Sequence, residues 1–99
     1  MNINRSLRGG GKIYVIVVYD VEEERVQNVR KIILPFLFWI QNSVFIGEIS
    51  SARFRILKAR LGKVIDPQRD TVDFFLLRHE KLVNRLTVGK RKDLDGVII

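Results

Sequence analysis

Asp20 has the strongest claim to chemistry in this chain. It follows Tyr19 at the carboxyl end of an apolar run, Ile13-Tyr14-Val15-Ile16-Val17-Val18-Tyr19, where a buried strand would meet an exposed edge. One carboxylate cannot enclose a cation, but Mg²⁺ needs only one or two protein carboxylates, keeps several waters and takes further ligands from phosphate oxygens. Two copies of Asp20 facing each other across a dimer axis meet that minimum. An ion held there would lower the pKa of a coordinated water and stabilise charge on a phosphorane, the route of metal-assisted phosphodiester hydrolysis. A structural reading competes with this one. Asp20 and Glu23 have capping-box spacing, and an Asp between a strand and a helix commonly serves as the N-cap.

The other candidates are weaker or serve binding. His79 stands alone beside a polar stretch and reads as a surface residue, Ser43 and Ser50 have no evident triad, and Glu48 is either an auxiliary ligand or a solvated strand residue. Arg25, Arg30 and Lys31 in one helical segment, and Arg53, Arg60 and Lys63 in another, are suited to phosphate contacts. Each is equally compatible with a solvated helix face.

Several elements must position these groups. The run 13–19 is β-branched and aromatic with neither parity polar, so it predicts a strand buried on both faces. Glu22, Glu23 and Glu24 complement a helix dipole, and Val26, Val29, Ile33, Phe36, Leu37 and Ile40 share an arc of about 100°, which predicts an amphipathic helix ending or kinking near Leu34, before Pro35. Strand character flanks Asn42-Ser43, a pair suited to a tight turn or bulge between two short antiparallel strands. Ser50 or Ser51 then caps a second helix with Phe54, Leu57, Leu61, Val64 and Ile65 inward, and Arg53, Arg55, Lys58, Arg60 and Lys63 outward without an acid among them. Asp66-Pro67 ends it, a strand follows over residues 71–78, another is expected over 85–89, and residues 96–99 form a short apolar end.

The order strand, helix, two strands, helix, strand predicts an α+β fold, a ferredoxin-like βαββαβ sandwich with an extra C-terminal strand. Both helices cover one sheet face, and the apolar residues left on the other predict a homodimer, with the end at Val97-Ile98-Ile99 added to or exchanged with the partner's sheet. Residues 1–11 read as a flexible basic arm, and residues 12–99 as one domain. The triplet Gly9-Gly10-Gly11 precedes a strand, whereas a phosphate loop follows one.

Composition narrows the function further. With 99 residues there is room for one core. No Cys and a single His exclude disulfides, a thiolate nucleophile, cysteine-ligated metals and a His-cluster metal site within one chain. The apolar runs 13–19 and 32–40 are too short to span a bilayer, and no signal-peptide pattern is seen, so a cytoplasmic location without a membrane partner is expected. Lys and Arg number 18 against 11 for Asp and Glu, a net charge of +7 that favours polyanionic partners, nucleic acid first. No Lys/Arg-Gly-aromatic pattern supports stacking of bases on the sheet in the manner of an RNA-recognition motif.

The segment Tyr14-Val15-Ile16-Val17-Val18-Tyr19-Asp20-Val21, then Arg25-Val26, then Trp39-Ile40-Gln41-Asn42-Ser43-Val44-Phe45-Ile46-Gly47-Glu48, resembles the CRISPR-associated protein two family over about residues 12–89. The resemblance implies a ferredoxin-like homodimer whose strand-end aspartates bind Mg²⁺, with endoribonuclease activity on single-stranded RNA and sometimes on DNA. It also implies a second role, in which the dimer bridges two dimers of the CRISPR integrase and holds duplex DNA during spacer acquisition in antiviral defence. Asp20 takes the catalytic and metal position, and Arg25 and Phe45 match positions that contribute to nucleic-acid handling. Where many relatives carry an acid this chain has Ile46, and where some carry Arg it has Trp39, so neither position supplies the auxiliary contact. Two further readings stay open: a non-catalytic DNA-binding scaffold, and a related ferredoxin-like toxin or regulatory module.

Overall fold

Strand β1, Lys12–Asp20, forms where β-branched and aromatic residues follow one another without a helix former. It is the spine of the molecule, described here from a computed structural model over residues 11–78 and 86–89. Helix α1, Glu23–Ile33, comes next, then the hairpin of β2, Phe38–Gln41, and β3, Val44–Ser50. Helix α2, Ser51–Val64, leads into β4, Thr71–Leu77. The four strands pair antiparallel in the order β2-β3-β1-β4, the ferredoxin-like βαββαβ arrangement.

The period of two in β1 sends Ile13, Val15, Val17 and Tyr19 under the helices, where they form one core with Val29 and Ile33 of α1, Phe45 and Ile49 of β3, and Phe54, Leu57 and Leu61 of α2. The opposite parity faces away from the helices. There the expected burial is partial: Tyr14 and Ile46 are buried, Ile16 is half-buried, and Val18, Phe38 and Phe75 are exposed. The register places Ile16 between Ile46 and Phe75, so these apolar residues form a continuous strip across the helix-free face.

Local signals act where the sequence places them, with two differences. Pro35 follows the end of α1 at Ile33, and Ser50 caps α2 by accepting from the Arg53 N–H at 3.2 Å. Asn42 turns the β2–β3 hairpin at φ 42°, a conformation Asn tolerates because its short polar side chain relieves the left-handed region. Asp20 is not the cap of α1. The helix begins at Glu23 with Glu22 as N-cap, whose side chain makes no capping bond and whose N–H donates to a carboxylate from elsewhere in the chain. Residues 86–89, expected within a strand, run irregularly with Leu86 and Val88 at the surface and Gly89 at φ 97°, a backbone that leaves the extended region.

Residues 1–10 of the expected arm over 1–11, His79, and residues 96–99, expected as a C-terminal strand, lie outside the described residues. Among the described residues no helix is long and apolar enough to cross a membrane.

Candidate functional site

Asp20 is the last residue of β1 and pairs with Thr71, the first residue of β4. Alternation from Ile16 and Val18 puts it on the helix-free face, at the edge of the apolar strip. Its side chain is exposed and enters no hydrogen bond or ion pair among the described residues. It is thus a carboxylate delivered by a rigid central strand and left uncommitted. Tyr19, one residue earlier, points the other way into the core, where its ring stacks on Phe45 with centroids 6.2 Å apart. Its hydroxyl is buried without a partner among the described residues.

A second carboxylate organises the backbone around this point. Asp70 immediately precedes Thr71, and its side chain is wholly buried. One oxygen accepts the Glu22 N–H at 2.9 Å and an Arg25 Nη2–H at 2.9 Å; the other accepts the Arg25 Nε–H and the Asp66 N–H, the latter at 2.8 Å. This hub joins the start of α1, the body of α1 and the α2–β4 loop. The Arg25 hydrogen bonds hold the Asp70 carboxyl far below the ordinary carboxylate range, helped by the two backbone N–H groups and opposed by burial. The same bonds raise Arg25 above its ordinary value.

Arg25 is therefore placed differently from the other cations. All three guanidinium nitrogens are used, Nε and Nη2 on Asp70 and Nη1 on Glu24 at 2.9 Å. Phe45 likewise lies inside the core and presents no surface in the single chain. Arg53 and Arg60 are exposed, and their guanidiniums stack over one ring, that of Phe36, at 4.5 and 5.5 Å from its centroid. Arg53 is fixed further by donating to the Pro35 carbonyl at 2.9 Å. Arg30 stacks over Trp39 at 5.2 Å, and Lys31 and Lys63 are exposed. Such stacking pre-orients guanidiniums while leaving N–H groups available to phosphate.

Topology places Arg53 and Lys63 at different distances from Asp20. Ser50 pairs with Lys12, so α2 begins at the sheet end opposite Asp20 and runs back toward it. Arg53 lies at the far end and Lys63 in the last turn at the near end. The structure thus brings together Asp20, Thr71, Asp70 and Arg25, and separately Arg53, Phe36 and Arg60.

Two of these residues escape sequence reasoning. Asp70 sits in a polar turn 45 residues from Arg25, and no local spacing links the two. Phe36 reads as part of the helical apolar stripe, whereas it lies beyond the end of α1 and serves as a platform for arginines. For Asp70, the only local sign is an Asp placed just ahead of a strand.

No group of three or more His, Cys, Asp or Glu able to hold a metal exists among the described residues. That donor set does not suit zinc, which takes nitrogen and sulfur ligands in a closed tetrahedron. A free carboxylate at an edge suits a hard cation that retains most of its water, with a second copy of Asp20 or a substrate phosphate completing the shell.

The family described as CRISPR associated protein Cas2 matches residues 13–85. The CRISPR-associated endoribonuclease Cas2 of Thermotoga maritima is 42% identical over 86 residues, covering 87% of this chain and 99% of that protein. That of Thermococcus kodakarensis is 48% identical over 81 residues, covering 82% of this chain and 93% of its own. A crystal structure of a Cas2 protein superposes with a TM-score of 0.78 at 40% identity, covering 90% of this chain and 100% of that one. Fold and sequence agree: the chain belongs to the CRISPR-associated protein Cas2 family.

Proposed function

We propose that this chain is a divalent-metal-dependent endoribonuclease that works as a homodimer, with Asp20 from each copy holding Mg²⁺ at the symmetry seam. The observation that carries this reading is the uncommitted Asp20 carboxylate at the edge of the apolar helix-free face. A second copy covering Val18, Phe38 and Phe75 would bury exposed apolar surface and draw the two carboxylates to one seam. Its relatives named as endoribonucleases support the reaction class.

Asp20 would hold the cation, and the helix-layer cations Arg30, Lys31, Arg53, Arg60 and Lys63 bind backbone phosphates of single-stranded RNA or of DNA. Arg25 and Phe45 contribute indirectly, through Asp70 and Tyr19 respectively. When bound, Mg²⁺ supplies Lewis-acid stabilisation of the charge that develops on the phosphate. Hydrolysis adds the oxygen of water to phosphorus, breaks one phosphorus–oxygen ester bond and protonates the departing oxygen.

A second reading rests on the distance along α2 from Arg53 to Asp20's end of the sheet: the cationic layer binds duplex DNA as a scaffold joining integrase dimers, without need of the carboxylate. Cleavage of single-stranded RNA and duplex DNA by wild type and Asp20→Asn, with Mg²⁺ and with EDTA, separates the two. The nuclease reading predicts cleavage lost in Asp20→Asn and in EDTA, with dimer formation and nucleic-acid binding retained. Cleavage that persists in the purified variant overturns it.

A further inference from the structure

Among the described residues the Asp20 carboxylate has no partner to hold it, so its place depends on the backbone around it. On one side lies Glu22, whose N–H is tied to Asp70. Across the ladder lies Thr71, the residue next to Asp70. One buried carboxylate is therefore bound to the backbone two residues after Asp20 and belongs to the residue just before its cross-strand partner. Arg25 completes the arrangement: it saturates Asp70 on both oxygens, which keeps that carboxylate out of competition for a cation.

We propose that Asp70, locked by Arg25, is a positioning residue that sets the Asp20 carboxylate for metal binding. This rests on the reading of Asp20 as the metal-holding residue. Asp70 touches neither substrate nor ion in this account. It acts through the Glu22 N–H and the start of β4, so its loss should loosen metal binding while the nucleic-acid surface on the helices stays intact.

The test compares wild type, Asp20→Asn and Asp70→Asn as full-length protein, at a temperature where circular dichroism shows each folded. Three quantities are read: Mn²⁺ affinity from paramagnetic broadening of the Asp20 and Val21 amides, the Mg²⁺ concentration for half-maximal RNA cleavage, and RNA affinity without metal. In Asp70→Asn the first two should weaken about tenfold, the lower end of the range seen when groups that orient metal ligands are removed. RNA affinity should change less than about twofold, a split that simple loss of folded protein would not give. Wild-type metal affinity and metal requirement in folded Asp70→Asn overturn the proposal.

Should Asp70→Asn fail to fold, Arg25→Lys keeps the charge but not the paired hydrogen bonds, and the two metal readings on the folded variant decide. If Asp20→Asn cleaves and binds Mn²⁺ like wild type, the reading of Asp20 has failed. The positioning claim is then judged on amide order parameters of Val21 and Glu22. A fall from about 0.85 to below about 0.6 in Asp70→Asn supports it, and unchanged rigidity overturns it.

Discussion

Arg25 of the first helix holds Asp70 of the α2–β4 loop through two parallel hydrogen bonds, and the same carboxylate accepts from the Glu22 N–H just ahead of that helix. Helix starts are usually satisfied by a residue a few positions upstream. Here the acceptor for the N-cap residue's own N–H arrives from a distant loop.

Acid should weaken the fold through this group. Asp70 titrates below its unfolded value of about 4, so its stabilisation is complete above that pH. As the pH falls below about 4 the unfolded chain takes up the proton first, and the contribution declines toward the folded-state pKa. Denaturant midpoints between pH 7 and pH 2.5 should fall more steeply below pH 4 for wild type than for Asp70→Asn, which starts lower at pH 7.

Neighbouring positions on α2 should differ sharply in their tolerance. Leu57 is wholly buried between α2 and the sheet, whereas Ile56 is 44% exposed on the outer face. Leu57→Ala should cost about 2–5 kcal/mol in urea unfolding, the range for cavity-forming core truncations. Ile56→Ala should stay within about 0.5 kcal/mol, as for surface changes.

Much of this molecule is written locally. The unbroken β-branched run makes β1, the inward stripe of Phe54, Leu57 and Leu61 seats α2, and Pro35 follows the stop of α1, because each depends on neighbours in sequence. Asp20 is legible for the same reason, as an acid at the end of an apolar strand. What stays hidden depends on packing. The Glu22 N–H ahead of α1 is held by Asp70 from a distant loop, and Phe36 becomes a platform because α2 brings two arginines over it. Strand alternation also puts apolar residues on both faces of β1, while how far the second face is covered is a matter of tertiary context.

The hairpin turn should be sensitive to the residue at position 42. Asn42 holds φ at 42°, where a β-branched side chain clashes with its own backbone, and its carbonyl accepts from Trp39 Nε1 at 2.9 Å. Asn42→Val should cost about 1–2 kcal/mol, while Asn42→Gly should be nearly neutral, as judged by thermal unfolding.

Replacing the stacked arginines should change how binding responds to salt. Arg53→Glu and Arg60→Glu should each reduce the slope of log affinity against log salt by about 0.9 on duplex DNA, or about 0.7 on single strands, for every phosphate the side chain had neutralised. Fluorescence anisotropy across a salt series measures this. An unchanged slope would place the nucleic acid on another surface.

The most direct test of the central claim is the activity of dimers in which one subunit carries Asp20→Asn and the other is wild type, purified through two different tags. A cation shared between the two carboxylates predicts that such mixed dimers lose nearly all metal-dependent cleavage while sedimenting as wild-type dimers do. Mixed dimers that retain half the wild-type rate or more would contradict it, because each Asp20 would then be acting alone.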